Sequence, residues 1–157
     1  MDSPTSEIPA LPRLNFPPVR LRARRRGETV EIWDALRGTY LVLTPEEWVR
    51  QHFTAYLNSV KGVPVSRMTN ETTISLNGTV KRCDTVIYAH DLSPIAIVEY
   101  KAPSVAITRK VFDQIARYNL VLGTRYLIIS NGLSHYCVGN GRLLPDIPPY
   151  SDMIADL

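Results

Sequence analysis

Apolar residues come in short bursts along this chain, and the spacing inside each burst separates strands from helices. Two bursts dominate the middle: Arg82-Cys83-Asp84-Thr85-Val86-Ile87-Tyr88 and Pro94-Ile95-Ala96-Ile97-Val98-Glu99-Tyr100-Lys101. Both are rich in Val, Ile and Tyr, and the polar stretch Ala89-His90-Asp91-Leu92-Ser93 lies between them, which predicts two buried strands joined by a turn. Upstream, Val30-Glu31-Ile32-Trp33-Asp34 and Tyr40-Leu41-Val42-Leu43 predict an N-terminal β-hairpin. Val65 to Leu76 predicts the first core strand, closed by Asn77-Gly78, a strong hairpin turn pair. Downstream, Arg125 to Ile129 predicts a fully apolar strand, and His135 to Val138 a short last one beyond the turn Ser130-Asn131-Gly132.

Two stretches change to the helical period. Thr44 suits an N-cap, Pro45 the first helical position and Glu47 the third, so Thr44 and Glu47 predict a capping box. Gly62-Val63-Pro64 stops this helix. Its apolar stripe is Val49, Phe53, Tyr56 and Val60, and Glu46 lies nearer to that stripe than Glu47, so Glu46 is the acid expected to face the sheet. A second helix runs from the cap Thr108 to Leu122, with Gly123 as its stop and Val111, Ile115, Tyr118 and Leu122 as its buried face. A helix between two strands suits a parallel crossover. The expected fold class is therefore α/β: a mixed central sheet flanked by two main helices, with an N-terminal hairpin.

Residues 1–18 contain five prolines and little periodicity, and predict an extended or mobile arm ahead of one domain spanning 19–157. With 45% hydrophobic and 21% charged residues, the composition is that of an ordinary globular domain with no membrane span. Met1 to Glu7 lack the basic start and apolar run of a secretory signal, so a cytoplasmic location is expected. Cys83 and Cys137 fall on separate expected strands without a C-x-x-C pair, which predicts reduced core thiols and no zinc. A net charge of +3 and a pI near 9.0 permit nucleic acid as a partner. Arg20, Arg22 and Arg24 would line one strand face, either as phosphate contacts or as a solvated edge.

The two central strands carry acids where core residues belong. Because strand side chains alternate, Glu99 and Lys101 share one face, Asp84 shares its own with Val86 and Tyr88, and a hairpin brings Asp84 beside Glu99 and Lys101. Two crowded, partly buried carboxylates repel each other unless a cation joins them, and hard oxygen ligands suit magnesium.

Asp84 followed by Glu99-Tyr100-Lys101 resembles the signature of the PD-(D/E)xK nuclease superfamily. Leu43 to Gln51, Lys81 to Asp84, Glu99 to Pro103, Gln114 to Asn119 and Asn131-Gly132, in that order, are similar to the nuclease-like N-terminal domain of the type I restriction enzyme R subunit. Cys83 stands where the superfamily name places proline. The resemblance implies a restriction-endonuclease-like sheet and a magnesium-dependent DNA endonuclease or exonuclease, with manganese as a substitute metal. Asp84, Glu99 and the Tyr100 carbonyl would hold the metal, and Lys101 would serve the attacking water. Glu46 would complete the site from the first helix. Gln114 and Tyr118 resemble a Q-x-x-x-Y element that holds the site or the DNA strand. Partners would be DNA and the proteins of a restriction or repair complex. The alternative is a nuclease fold recruited as a non-catalytic binding module within a larger assembly. No G-x-x-x-x-G-K-[ST] loop is present for ATP-driven translocation.

Overall fold

In the computed structural model, which describes residues 11–155 and 157, the chain builds two β-sheets and three α-helices. The first sheet is antiparallel: β1 (Ala23–Arg26), β2 (Thr29–Asp34) and β3 (Thr39–Val42). The expected hairpin thus gains a third strand from the arginine run. Helix α1 (Pro45–Ser59) follows, with the Thr44 hydroxyl accepting from the Glu47 N–H at 3.1 Å. A single 3-10 turn at Val65–Arg67 delays the next strand to Met68.

The second sheet has the order β4 (Met68–Leu76), β5 (Thr79–Tyr88), β6 (Pro94–Tyr100), β7 (Tyr126–Ser130), β8 (His135–Gly139) and β9 (Arg142–Leu144). Every neighbouring pair is antiparallel except β6 and β7, which are joined through α2 (Arg109–Leu122), so the sheet is mixed as its sequence implies. Gly123 closes α2 at φ +71°. The tail adds β9 and the short helix α3 (Tyr150–Ile154), where the sequence offered only irregular packing. No helix among the described residues is long and apolar enough to cross a membrane.

Each face of the large sheet has its own core. Val49, Phe53 and Leu57 of α1 pack on Met68, Ile87, Val98, Tyr100 and Ile128, whereas α2 covers Ile74, Cys83, Val86, Ile97, Leu127 and Ile129. The α2 stripe is Phe112, Ile115, Ala116 and Leu122, not the one built on Val111 and Tyr118, and Tyr118 is 52% exposed. Cys83 and Cys137 are free and buried on opposite faces, and burial pushes their thiols up to about 11 and about 12. Residues 1–10 of the expected arm lie outside the described part. Beyond them, Leu14 is buried, the Asn15 N–H donates to the Gly132 carbonyl, and Phe16 packs among His52, Phe53, Tyr56 and His135.

The alternation of faces slips once in both β4 and β5. Met68 and Ile87 lie on the α1 side, yet Ile74 and Cys83, whose parity should put them there too, lie on the α2 side with Val86. Pairing stays in register across the slip, from Asn70 opposite Thr85 to Thr72 opposite Cys83. The slip therefore falls at Glu71 and Asp84, and Glu71 has the left-handed φ of +54° that a non-glycine residue rarely adopts.

Asp34 joins the two sheets. Fully buried at the end of β2, it accepts the N–H groups of Leu36 and Arg37, Arg37 Nε at 2.7 Å and Asn70 Nδ2 at 3.1 Å. The Thr85 hydroxyl donates to Asn70 Oδ1 and lies 2.8 Å from the Tyr100 hydroxyl, so a polar chain runs from the small sheet into the large one. Burial alone would raise the Asp34 carboxyl, but the hydrogen bonds from Arg37 and Asn70 outweigh it and hold the group below its ordinary value. Asp34→Ala should cost about 3 kcal/mol in urea unfolding, because it strands buried donors. A depressed carboxylate stabilises fully above its unfolded value, about pH 4, and loses that contribution as pH falls through its folded value. The stability gap between parent and Asp34→Asn should accordingly narrow between pH 7 and pH 3.

Candidate functional site

Asp84 occupies the point where β5 parts from β6. The last paired residues are Thr85 and Val98, which places Asp84 opposite Glu99 one step further out. There the Asp84 side chain replaces the ladder: its Oδ2 accepts the Tyr100 N–H at 2.8 Å. The Glu99 carboxylate points to the α2 side of the rim, since Val98 and Tyr100 point to the other, while Asp84, at the slip, lies between the Tyr100 N–H and Arg50 of α1. The Glu99 side chain is 14% exposed and that of Asp84 29%. Burial first, and then the charge of Asp84, push the Glu99 carboxyl up to about 7.

The cations beside these acids are Arg50 and Lys81. Lys81 Nζ pairs with Glu99, and it lies 5.5 Å from the ring centre of Tyr118 on α2. The slip at Glu71 and Asp84 explains this pairing, because it turns Lys81 to the same side as Glu99. Arg50 Nη2 pairs with Glu71 and lies 3.8 Å from Asp84 Oδ1, and Arg50 Nη1 pairs with Glu47. Glu71 is held in turn by Arg82 at 2.8 Å.

Lys101 does not pair with either carboxylate. Its N–H continues the β6–β7 ladder to the Ser130 carbonyl at 2.9 Å, and its half-buried side chain makes no ion pair among the described residues. The Tyr100 ring lies on the far face against Phe53, with its hydroxyl on Thr85, so only its main chain adjoins the acids.

Helix α1 presents Glu47 rather than Glu46 to this cluster. Glu46 is exposed, whereas Glu47 is half-buried, paired with Arg50, and 3.7 Å from Arg37 Nη2. The physical reason is a polar arc, Glu47, Arg50, Gln51 and Thr54, buried beside the apolar stripe. Gln114 is exposed on α2 with Arg109, Lys110 and Arg117, one turn before Tyr118. Tyr118 lies beside Lys81, which pairs with Glu99. The arginine row is engaged within the small sheet: Arg22 lies 4.8 Å from the Trp33 ring centre, Arg24 lies 3.8 Å from that of Tyr40 and pairs with Glu31, and Arg20 is exposed.

The donor set suits a hard divalent cation. Two carboxylates meet on adjacent strands, where burial first and then the charge of Asp84 raise Glu99, and a bound dication would relieve both. Asp84 and Glu99 would hold such an ion.

A family model described as the type I restriction enzyme R protein N terminus matches residues 45–148. That range holds α1 and the whole large sheet and leaves out β1, β2 and β3. No curated protein matches the chain. Among solved structures, a chain of the DrdV–DNA complex determined by cryo-EM aligns at 18% identity and a TM-score of 0.47, over 63% of this chain and 10% of that one. The present chain thus spans about a tenth of that chain's length.

The placement of the helix acids can be checked by mutation. Glu46→Gln should leave stability within about 0.5 kcal/mol of the parent. Glu47→Gln should cost about 1 to 3 kcal/mol in urea unfolding, because Arg50 keeps its buried charge and loses a partner.

Proposed function

Because the chain belongs to the family of the type I restriction enzyme R protein N terminus, we propose that it is a metal-dependent nuclease domain that hydrolyses DNA phosphodiester bonds. The observation that carries this reading is the direct opposition of Asp84 and Glu99 at a parted strand edge. Asp84 and Glu99 would bind magnesium, with the Tyr100 carbonyl as the further ligand that the superfamily resemblance implies. Magnesium, when bound, polarises the scissile phosphate and lowers the pKa of a coordinated water.

The protein's own part is positional and electrostatic. The Tyr100 N–H fixes Asp84 Oδ2, and the rigid β5–β6 pair fixes the spacing of the acids. Lys101, free of any ion pair among the described residues, has its ammonium available for the attacking water and the phosphorane. Lys81 offsets part of the charge on Glu99 before the metal arrives. The family match supports a role in restriction beside further protein components, and repair is the other setting in which such a domain would act.

One observation favours the alternative of a recruited binding module: both acids already have cations beside them, Arg50 at Asp84 and Lys81 at Glu99. A self-neutralised cluster of that kind needs no metal.

The two readings part on Lys101→Met and Asp84→Asn. Since Lys101 makes no ion pair, Lys101→Met should keep its thermal stability and its magnesium-induced rise in Tm while losing about 100-fold or more in DNA cleavage. Asp84→Asn should lose both the cleavage and the rise in Tm. A well-folded parent that gains no stability from magnesium or manganese, and cuts neither single- nor double-stranded DNA, would overturn the nuclease reading and make the binding module the better account.

A further inference from the structure

Arg50 carries one positive charge among three carboxylates. Its side chain is 5% exposed. It pairs with Glu47 and Glu71, lies 3.8 Å from Asp84 Oδ1, and has its Cζ 5.8 Å from the Tyr100 ring centre. Its Nε is buried and has no hydrogen-bond partner. A buried arginine kept solely as a structural tie normally has its donors satisfied, because an orphaned buried N–H is costly. Here one donor is orphaned and one acid stands just beyond hydrogen-bond reach. The guanidinium is therefore divided among three carboxylates.

We propose that Arg50 is the resident counter-ion of Asp84 and that a divalent cation competes with it for that carboxylate. The inference rests on the metal-binding reading above and concerns how the site is regulated. A positive charge within about 4 Å of a ligand oxygen opposes a second cation at the same place. Arginine cannot relieve this by losing its proton, so the competition is settled by where the guanidinium lies. Glu47 and Glu71 are the carboxylates that draw it away. Glu47 is itself approached by Arg37, whose Nε is bound to the buried Asp34. Through Arg37, the small sheet outside the matched family region thus bears on the charge that faces the metal site. Arg50 acts as a positioning residue, through Asp84.

Calorimetric titration of the full chain with magnesium chloride tests this in the parent, Arg50→Gln and Arg50→Lys. Arg50→Gln should bind magnesium about tenfold tighter than the parent, equivalent to about 1.4 kcal/mol, while being less stable without metal. Arg50→Lys, which keeps the charge, should stay within about threefold of the parent. Equal affinity in parent and Arg50→Gln overturns the inference and leaves the metal site standing, as does an equal gain in both variants. Tight binding by Arg50→Gln alone supports it. No binding by either parent or Arg50→Gln overturns both the inference and the metal reading. Should the variants fail to fold, the parent decides by NMR: magnesium should speed hydrogen exchange at Arg50 Nε–H, and an unchanged rate overturns the proposal.

Discussion

Two carboxylates cannot face each other across neighbouring strands in a half-buried rim without a cation, and the arrangement around Asp84 and Glu99 follows from that constraint. Lys81 pairs with Glu99, Arg50 stands beside Asp84, and burial and the charge of Asp84 still push the Glu99 carboxyl up to about 7 against the lysine. Such a place is poorly suited to be a structural tie, since apolar side chains of the same size would cost less. It is well suited to receive a dication. The strand geometry serves the same end, because β5 parts from β6 at the residue whose carboxylate then takes the open Tyr100 N–H.

Around this rim the fold holds two layers of support. Phe53 of α1 packs against Tyr100 from below, and the Tyr100 hydroxyl begins a polar chain through Thr85 and Asn70 to Asp34. The small sheet is thereby tied to the strands that carry the acids, although the family match begins only at Pro45. Arg22 and Arg24 lie against Trp33 and Tyr40 of this sheet, and Arg24 pairs with Glu31, with both side chains still exposed.

The short hairpin made the meeting of Asp84 with Glu99 legible, although alternation fails at Asp84 and a bulge at Ile87 and Tyr88 shifts the register counted from the turn. The mixed sheet was legible as well, from the apolar run at Tyr126–Ser130 following a capped helix. The choice of lysine was not. Lys81 reaches Glu99 only because the faces slip at Glu71, and a left-handed φ at a glutamate leaves no mark in composition or spacing. The phase of α1 was misread at Glu46 for a related reason: the arc Glu47, Arg50, Gln51 and Thr54 is polar yet buried, and its burial depends on the small sheet packing there. On α2, Phe112 and Ala116 take the inward positions expected of Val111 and Tyr118, so Gln114 is turned outward.

The most direct measurement of the central claim is anomalous diffraction from crystals of the parent chain grown with manganese. The account predicts a single strong peak at the rim, within about 2.5 Å of a carboxylate oxygen of both Asp84 and Glu99. A map with no peak there, or with manganese bound only at other surface carboxylates, would contradict it.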